Sequence, residues 1–271
     1  MKRLNLITLP LAFLALSIVA SAAQALTVNI DTPTGTRDRG FIGPSACDGL
    51  FFCTTTPATE GTYWARALSG DPDNFGQPGP AIEIARLYHI FDLSSITPGT
   101  ITGATLKIPH GSRSYTSTTP TGPGDPTESL SLFDVSSSTS DLRSNSLSPA
   151  MTDAIFNDLG TGTEFGSFVA TEASNNTIEE IILNAAAIAS LNAAAGGEWA
   201  IGGALTSFAD GSTAFGAEQQ IFKGSEDADV FNIASQLELT IVPIPAAAPL
   251  LMSGLGWLWL IAARKRRREL S

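Results

Sequence analysis

"QLELTIV", residues 236–242, alternates without a break: Leu237, Leu239 and Ile241 share one side of an extended chain, and Gln236, Glu238 and Thr240 share the other. Successive side chains of a strand point to opposite faces, so the pattern predicts a strand with one buried and one wet face. "GATLKIP" (103–109) alternates in the same way and sets Ala104, Leu106 and Ile108 together. "RLYHIFDL" (86–93) is apolar or aromatic almost throughout, as befits a strand covered on both faces or central in a sheet. "LTVNI" (26–30), "SLSLFDV" (129–135), "FGSFVAT" (165–171), "TIEEIIL" (177–183), "EWAIGGALT" (198–206) and "EQQIFKG" (218–224) complete a set of nine. Nine short strands over some 216 residues predict an all-β sandwich in one domain, 26–241.

Two helices interrupt the strands. "SPAMTDAIFNDLG" offers Ser148 as N-cap, Pro149 at the first helical position and Gly160 as the stop. "NAAAIASLNAAAGG" offers Asn184 as N-cap and Gly196 just past the end, an Ala-rich helix to lie across a sandwich edge. "SRSYTSTTPTGPGDPTES" (112–129) reads as a long exposed loop, heavy in Pro, Gly and hydroxyls.

One stretch carries a resemblance. Arg86, Phe91, Asp92 and Leu93, then Ile96, Pro98, Gly99 and Ile101, then Ala104, Leu106 and Ile108 form a strand–turn–strand pattern. It resembles the DNRLRE-type jelly-roll modules of bacterial surface proteins. The resemblance implies a jelly-roll-like antiparallel sandwich and an extracellular scaffold related in shape to carbohydrate-binding modules. It transfers no binding residue.

The ends of the chain differ from its middle. Lys2 and Arg3 precede a nearly unbroken apolar run from Leu9 to Ala20, and Ala23-Gln24-Ala25 gives the small-x-small pattern of a cleavage site. Residues 1–25 therefore read as a secretory signal peptide cut after Ala25. Seven of the 15 basic residues lie in the two flanks, against only one (Glu269) of the 26 acids. The body thus keeps 8 basic and 25 acidic residues, a net charge of −17. Such a surface repels phosphate backbones, which argues against nucleic acid as a partner, and it favours solubility.

"VPIPAAAPLLMSGLGWLWLIAARKRRRELS" (242–271) is the other flank. Residues 246–263 carry no charge and as a helix span about 27 Å, enough to cross a bilayer. Arg264, Lys265, Arg266, Arg267 and Arg268 follow at once, a cluster held on the cytoplasmic side. Pro243 and Pro245 continue neither a strand nor a helix and mark an extended hinge before the apolar segment. Val242-Pro243-x-Pro245, the single apolar helix and the arginines resemble the PEP-CTERM sorting signal, with Ile244 where the namesake motif has Glu. The resemblance implies an exosortase as partner. That enzyme cuts near the Pro-x-Pro hinge and passes the body to the cell surface or to the exopolysaccharide matrix of a Gram-negative bacterium. A plain single-pass anchor that is never cut is the alternative.

No reactive constellation stands out. The chain has neither a Gly-x-Ser-x-Gly elbow nor a His-Glu-x-x-His pair nor a phosphate-cradling loop. His89 lies in a hydrophobic strand and reads as a core histidine; His110, after Pro109, reads as a loop residue. The sequence asks for no cofactor, and calcium is the one ion for which a loop offers ligands. "DPDNFGQPGPAIE" (71–83) spaces Asp71, Asp73 and Gly76 as an EF-hand begins, then departs with Phe75 at a ligand position and Glu83 one place late. Asp71 and Asp73, or Glu226, Asp227 and Asp229 of "SEDAD", are the residues for an irregular site. Cys47 and Cys53 are the only cysteines, and export permits a short disulfide loop between them. Tyr63, Trp64 and Tyr115 are the aromatics for a sugar platform, although adjacent Tyr63 and Trp64 face opposite ways on a strand. The expectation is an exported, non-enzymatic matrix or surface protein. A module binding the producer's exopolysaccharide and a matrix hydrolase are its rivals.

Overall fold

Eleven consecutive residues, Ile82–Asp92, form β4, the strand on which the larger sheet is assembled. Leu87 and Phe91 lie in one buried cluster, and Tyr88 and Ile90 lie in another on the opposite face. A strand with apolar residues on both faces needs cover on both sides, and here both sides receive it. The computed structural model describes residues 24–32, 37–43, 65–69, 82–97, 100–119, 122–123, 126–207, 217–222 and 233–242.

The strands are β1 (Leu26–Asp31), β2 (Arg39–Ile42), β3 (Ala65–Ser69), β4, β5 (Ile101–Pro109), β6 (Thr116–Thr119) and β7 (Gly122–Pro123). They continue as β8 (Glu128–Asp134), β9 (Glu164–Ala170), β10 (Ile178–Ile182), β11 (Glu198–Leu205), β12 (Ala217–Ile221) and β13 (Gln236–Ile241). One sheet has the order β1-β13-β5-β10, and the other runs β7-β6-β12-β3-β4-β11-β8-β9, with β2 also paired to β4. Every pairing is antiparallel. The length of β4 lets β2 and β3 share one of its edges, β2 opposite Arg86–His89 and β3 opposite Ile82–Ala85. The result is an antiparallel β-sandwich, and Ala25–Val242 forms one unit.

The main core fills the space between the sheets. Leu106, Ile108, Leu237 and Leu239 come from the small sheet, and Leu87, Phe91, Leu130, Leu132 and Ile201 from the large one. Burying one such side chain is worth roughly 1.5–3 kcal/mol. The predicted alternation of 236–242 is realised in β13, with Leu237 and Leu239 buried and Gln236, Glu238 and Thr240 part-exposed. All nine predicted strands are present within a few residues of their expected ends.

Among the described residues three α-helices dress the sandwich: α1 (Thr139–Leu142), α2 (Pro149–Asp158) and α3 (Ala185–Ala194). α2 begins as expected, with the Ser148 hydroxyl accepting from Met151 N–H and Pro149 at the first position. Its Ile155 and Phe156, with Leu142 of α1, cover Tyr88, Ile90 and Ala200 on the outer face of the large sheet. The predicted stop, Gly160, serves a different purpose. A Cβ there would fall 2.5 Å from the Arg86 guanidinium, which passes over the position to donate to Phe156 O (2.7 Å) and Asn157 O (3.2 Å). Arg86 thus satisfies carbonyls at the α2 C-terminus and also stacks on the Phe156 ring.

α3 starts from Asn184, whose Oδ1 accepts from both Ala186 and Ala187 N–H, and it ends before Gly196 at φ +87°, a conformation suited to glycine. Ala187 and Leu191 enter the main core, and the helix packs on β5, β9 and β11 across the sandwich edge. The chain bridges the two sheets just before it: Leu183 N–H donates to Ala104 O of the small sheet, and Asn184 N–H to Phe165 O of the large one. Stretch 112–129 departs from the expected exposed loop. Ser114 is buried, β6 pairs with β12, and β7 closes the edge.

Candidate functional site

The two ends of the body meet on one strand pair. Leu26 opposes Ile241 across β1 and β13, so Ala25, the expected signal-peptide boundary, and Val242, the first residue of the expected sorting signal, lie side by side. Ala25 is exposed and belongs to no strand. Val242 is half-buried, and its N–H donates to Thr100 O at 2.8 Å just after a register shift at Thr240/Ile241. Ala25 and Val242 both lie outside the strands, and every strand pairing among the described residues falls between them.

A groove of about 490 Å³ opens near this end of the sandwich, within the size range of small-ligand clefts. The link between groove and chain ends is Asn192 of α3. Its Oδ1 accepts from Ile101 N–H (3.1 Å) and its Nδ2 donates to Ile101 O (2.8 Å), and Ile101 pairs with Ile241. One wall of the groove is α3, with Ser190, Ala193 and Ala194; these positions, spaced three and four apart, share a helix face. The other wall is the serine-rich run before and into α1, with Ser137, Ser138 and Thr139. Glu198, Trp199 and Ala200, at the start of β11, form the floor.

Each polar group of the groove is held in place. The Trp199 ring is buried against Phe91 and Phe165, and its Nε1–H donates to Ser190 Oγ at 3.0 Å. Glu198 receives a two-pronged contact from Arg143, Nη1 to Oε2 (3.0 Å) and Nη2 to Oε1 (2.8 Å), and a third bond from Thr139 Oγ1 (2.6 Å). These donors, Arg143 first, hold the Glu198 carboxyl below the usual carboxylate range. Arg143 also donates from Nε to Asp38 Oδ1 at 2.6 Å. Beneath the serine run, Asp158 accepts from the hydroxyls and backbone N–H groups of both Ser136 and Ser137, at 2.7–3.0 Å. Burial opposes ionisation of Asp158, but the four donors outweigh it and lower its pKa.

Glu198 has a second carboxylate beside it on the sheet, since Asp92 of β4 is its register partner, although Asp92 does not line the groove. The Ser94 N–H, at 2.8 Å from Oδ1, holds Asp92 low as well. Both are ionised near neutrality, so this pair provides no general acid for glycoside cleavage.

His89 is buried in β4, as expected of a core residue; burial and then the Arg39 charge push its pKa down to about 3. His110 does follow β5, but it is no ordinary loop residue. It is 1% exposed, wedged against Phe222 (ring centroids 4.3 Å apart) and Phe168 (6.0 Å), and burial pushes it down to about 3. Its two ring nitrogens have no hydrogen-bond partner among the described residues. Phe222 sits at φ +67°, a costly conformation for an aromatic residue. Tyr115 is half-buried against the main core rather than displayed as a platform.

Several expected site residues lie outside the described residues: Ala23, Cys47, Cys53, Tyr63, Trp64, Asp71, Asp73, Glu226, Asp227, Asp229, Pro243, Pro245 and 264–268. The apolar stretch 246–263 lies outside them too, and no helix among the described residues is long and apolar enough to cross a membrane. Among the described residues no three His, Cys, Asp or Glu side chains gather to hold a metal ion. The groove residues escaped the sequence reading because they come from three distant segments and no spacing rule links them. The run of serines at 136–138 was the one local signal. No protein-family model matches the chain, and no curated protein matches it either.

Proposed function

We propose that this is an exported, non-enzymatic surface or extracellular-matrix protein whose jelly-roll-like body is released from a C-terminal sorting signal by an exosortase. The signal-peptide pattern of residues 1–25 and the resemblance of residues 242–271 to the PEP-CTERM signal support export and sorting. The single observation that best supports the reading is the pairing of Leu26 with Ile241, which sets Ala25 and Val242, the two ends of the described body, beside each other and outside the strands. The repeated passage of the chain between sheets, β4 to β5, β9 to β10 and β12 to β13, supports the jelly-roll form. While the tail is intact, the membrane is a transient partner through 246–263. The resemblance asks for no cofactor.

Mass spectrometry of the protein from host membranes and from the outside fraction tests this. The expected mature chain starts at Leu26 and ends near Val242 to Pro245. A tail that stays intact and is found only in the inner membrane would leave an uncut single-pass anchor and overturn the sorting reading. Binding of the producer's exopolysaccharide is the second reading, and the groove is the observation that favours it.

A further inference from the structure

We infer that the groove between α1 and α3 binds a segment of a neutral glycan, with Ser137, Thr139, Ser190 and Glu198 as its hydrogen-bonding residues. The inference rests on the surface-protein reading only for where such a polymer is met; the site itself stands on its own geometry.

The argument begins with hydrogen-bonding capacity. Ser190 Oγ accepts the Trp199 indole proton, so its own proton remains to be donated into the groove. Thr139 Oγ1 gives its proton to Glu198, and Ser137 Oγ gives its proton to Asp158. Both residues line the groove, and their hydroxyl oxygens keep lone pairs with which to accept. Glu198 uses one lone pair of Oε1 and two contacts at Oε2, and its part-exposed side chain keeps Oε1 capacity for a further donor. One donor among several acceptors, spread over about 490 Å³, suits neighbouring hydroxyls that each give and accept.

Charge narrows the class. Among the described residues no Lys or Arg lines the groove, and the nearby Arg143 is committed to Glu198 and Asp38. Asp38, Asp92, Asp141, Asp158 and Glu198 against Arg37 and Arg143 leave the neighbourhood net negative, as is the whole body. A uronate polymer would meet like charge, and the two-pronged Arg143 contact already compensates Glu198 and leaves little pull on a cation. A neutral polyol fits both constraints. Shape agrees: Ala193, Ala194 and Ala200 are small and keep the trough open, and the serines and Thr139 are fixed by the Asp158 and Glu198 contacts before any ligand arrives.

Calorimetry on the full chain, held in a detergent without a sugar headgroup, tests the inference. The probes are cellohexaose, maltohexaose and β-1,4-mannohexaose, with hexagalacturonate as the anionic counterpart. At least one neutral hexaose should bind saturably and hexagalacturonate should not. Ala193→Trp, at an exposed helix position, should weaken binding at least about tenfold, and Ser190→Ala by several-fold, with melting unchanged for the first. No binding of any neutral hexaose would overturn the inference, as would binding that Ala193→Trp leaves intact or hexagalacturonate matching the neutral sugars. Because these outcomes do not depend on the tail, they separate failure of the glycan site from failure of the sorting reading.

Discussion

Lowering the pH from 7 to 5 should destabilise the body sharply, and replacing His110 by Phe should remove about half of the loss. The chain has two histidines, and both are buried and held down at about 3 against an unfolded value of about 6.5. A histidine that is neutral when folded lets the unfolded chain bind protons that the native state refuses. Its contribution is therefore fully present above pH 6.5 and is lost as pH falls toward 3. At pH 5 the native imidazoles are still neutral, while an unfolded one gains about 2 kcal/mol from protonation. The two sites together cost about 4 kcal/mol, a large part of a typical 5–15 kcal/mol stability. The carboxylates held low, Asp92, Asp158 and Glu198, lose their share mainly below pH 5, so the window isolates the histidines. Phe suits position 110 because its ring neighbours are Phe168 and Phe222. Urea unfolding at both pH values, for wild type and His110→Phe, measures the difference. If the variant keeps the whole wild-type loss, His110 is not excluded from protons in the way its surroundings require.

Two substitutions test the packing behind the groove. Gly202→Ala would drive a Cβ to 2.6 Å from the Leu159 carbonyl oxygen, a backbone atom at the end of α2 that cannot swing aside, and should cost about 1–3 kcal/mol by thermal or urea melting. Asn184→Ala removes the α3 cap and the Nδ2 bond to Glu164 O (2.7 Å), for a loss of about 1–2 kcal/mol. Asn184→Asp, which keeps the capping oxygen and loses only the donor, should fall between wild type and Asn184→Ala in the same assay.

What could be read from sequence was what neighbouring residues decide among themselves. The alternation of 236–242, the caps at Ser148 and Asn184 and the left-handed Gly196 are local, and each is present in the fold. β6 was not legible, since "TSTT" carries no buried face of its own; it becomes a strand because β12, about a hundred residues later, lends it a partner. β2 was hidden by Arg39, a charged residue that ordinarily marks surface. Here it is buried, and its Nη1 finds the Ile233 carbonyl at 2.6 Å. The burial of His110 is illegible for the same reason, because it comes from Phe168 and Phe222 and not from its own loop. The groove is the extreme case: 137–139, 190 and 198–199 meet only after β11 has been placed beside β4 and α3 laid across the edge.

The edge strands bear on how a body of this kind avoids pairing with copies of itself. Among the described residues β10 pairs only with β5, and it carries Ile178 and Ile182 at 55% and 80% exposure, an apolar edge of the sort that invites another strand. Glu179 and Glu180 lie between them, and Glu180 is bound to Lys107 at 3.4 Å, which in turn holds Glu238 at 2.9 Å. A second copy docking antiparallel on β10 would bring its own pair of glutamates against these, and like charges opposite one another destabilise a ladder. The end of β10 is already engaged as well, because Leu183 and Asn184 tie the chain to Ala104 and Phe165 of the two sheets. The charge that the sequence concentrates in the body therefore acts locally here, by making β10 a poor template for a copy of itself.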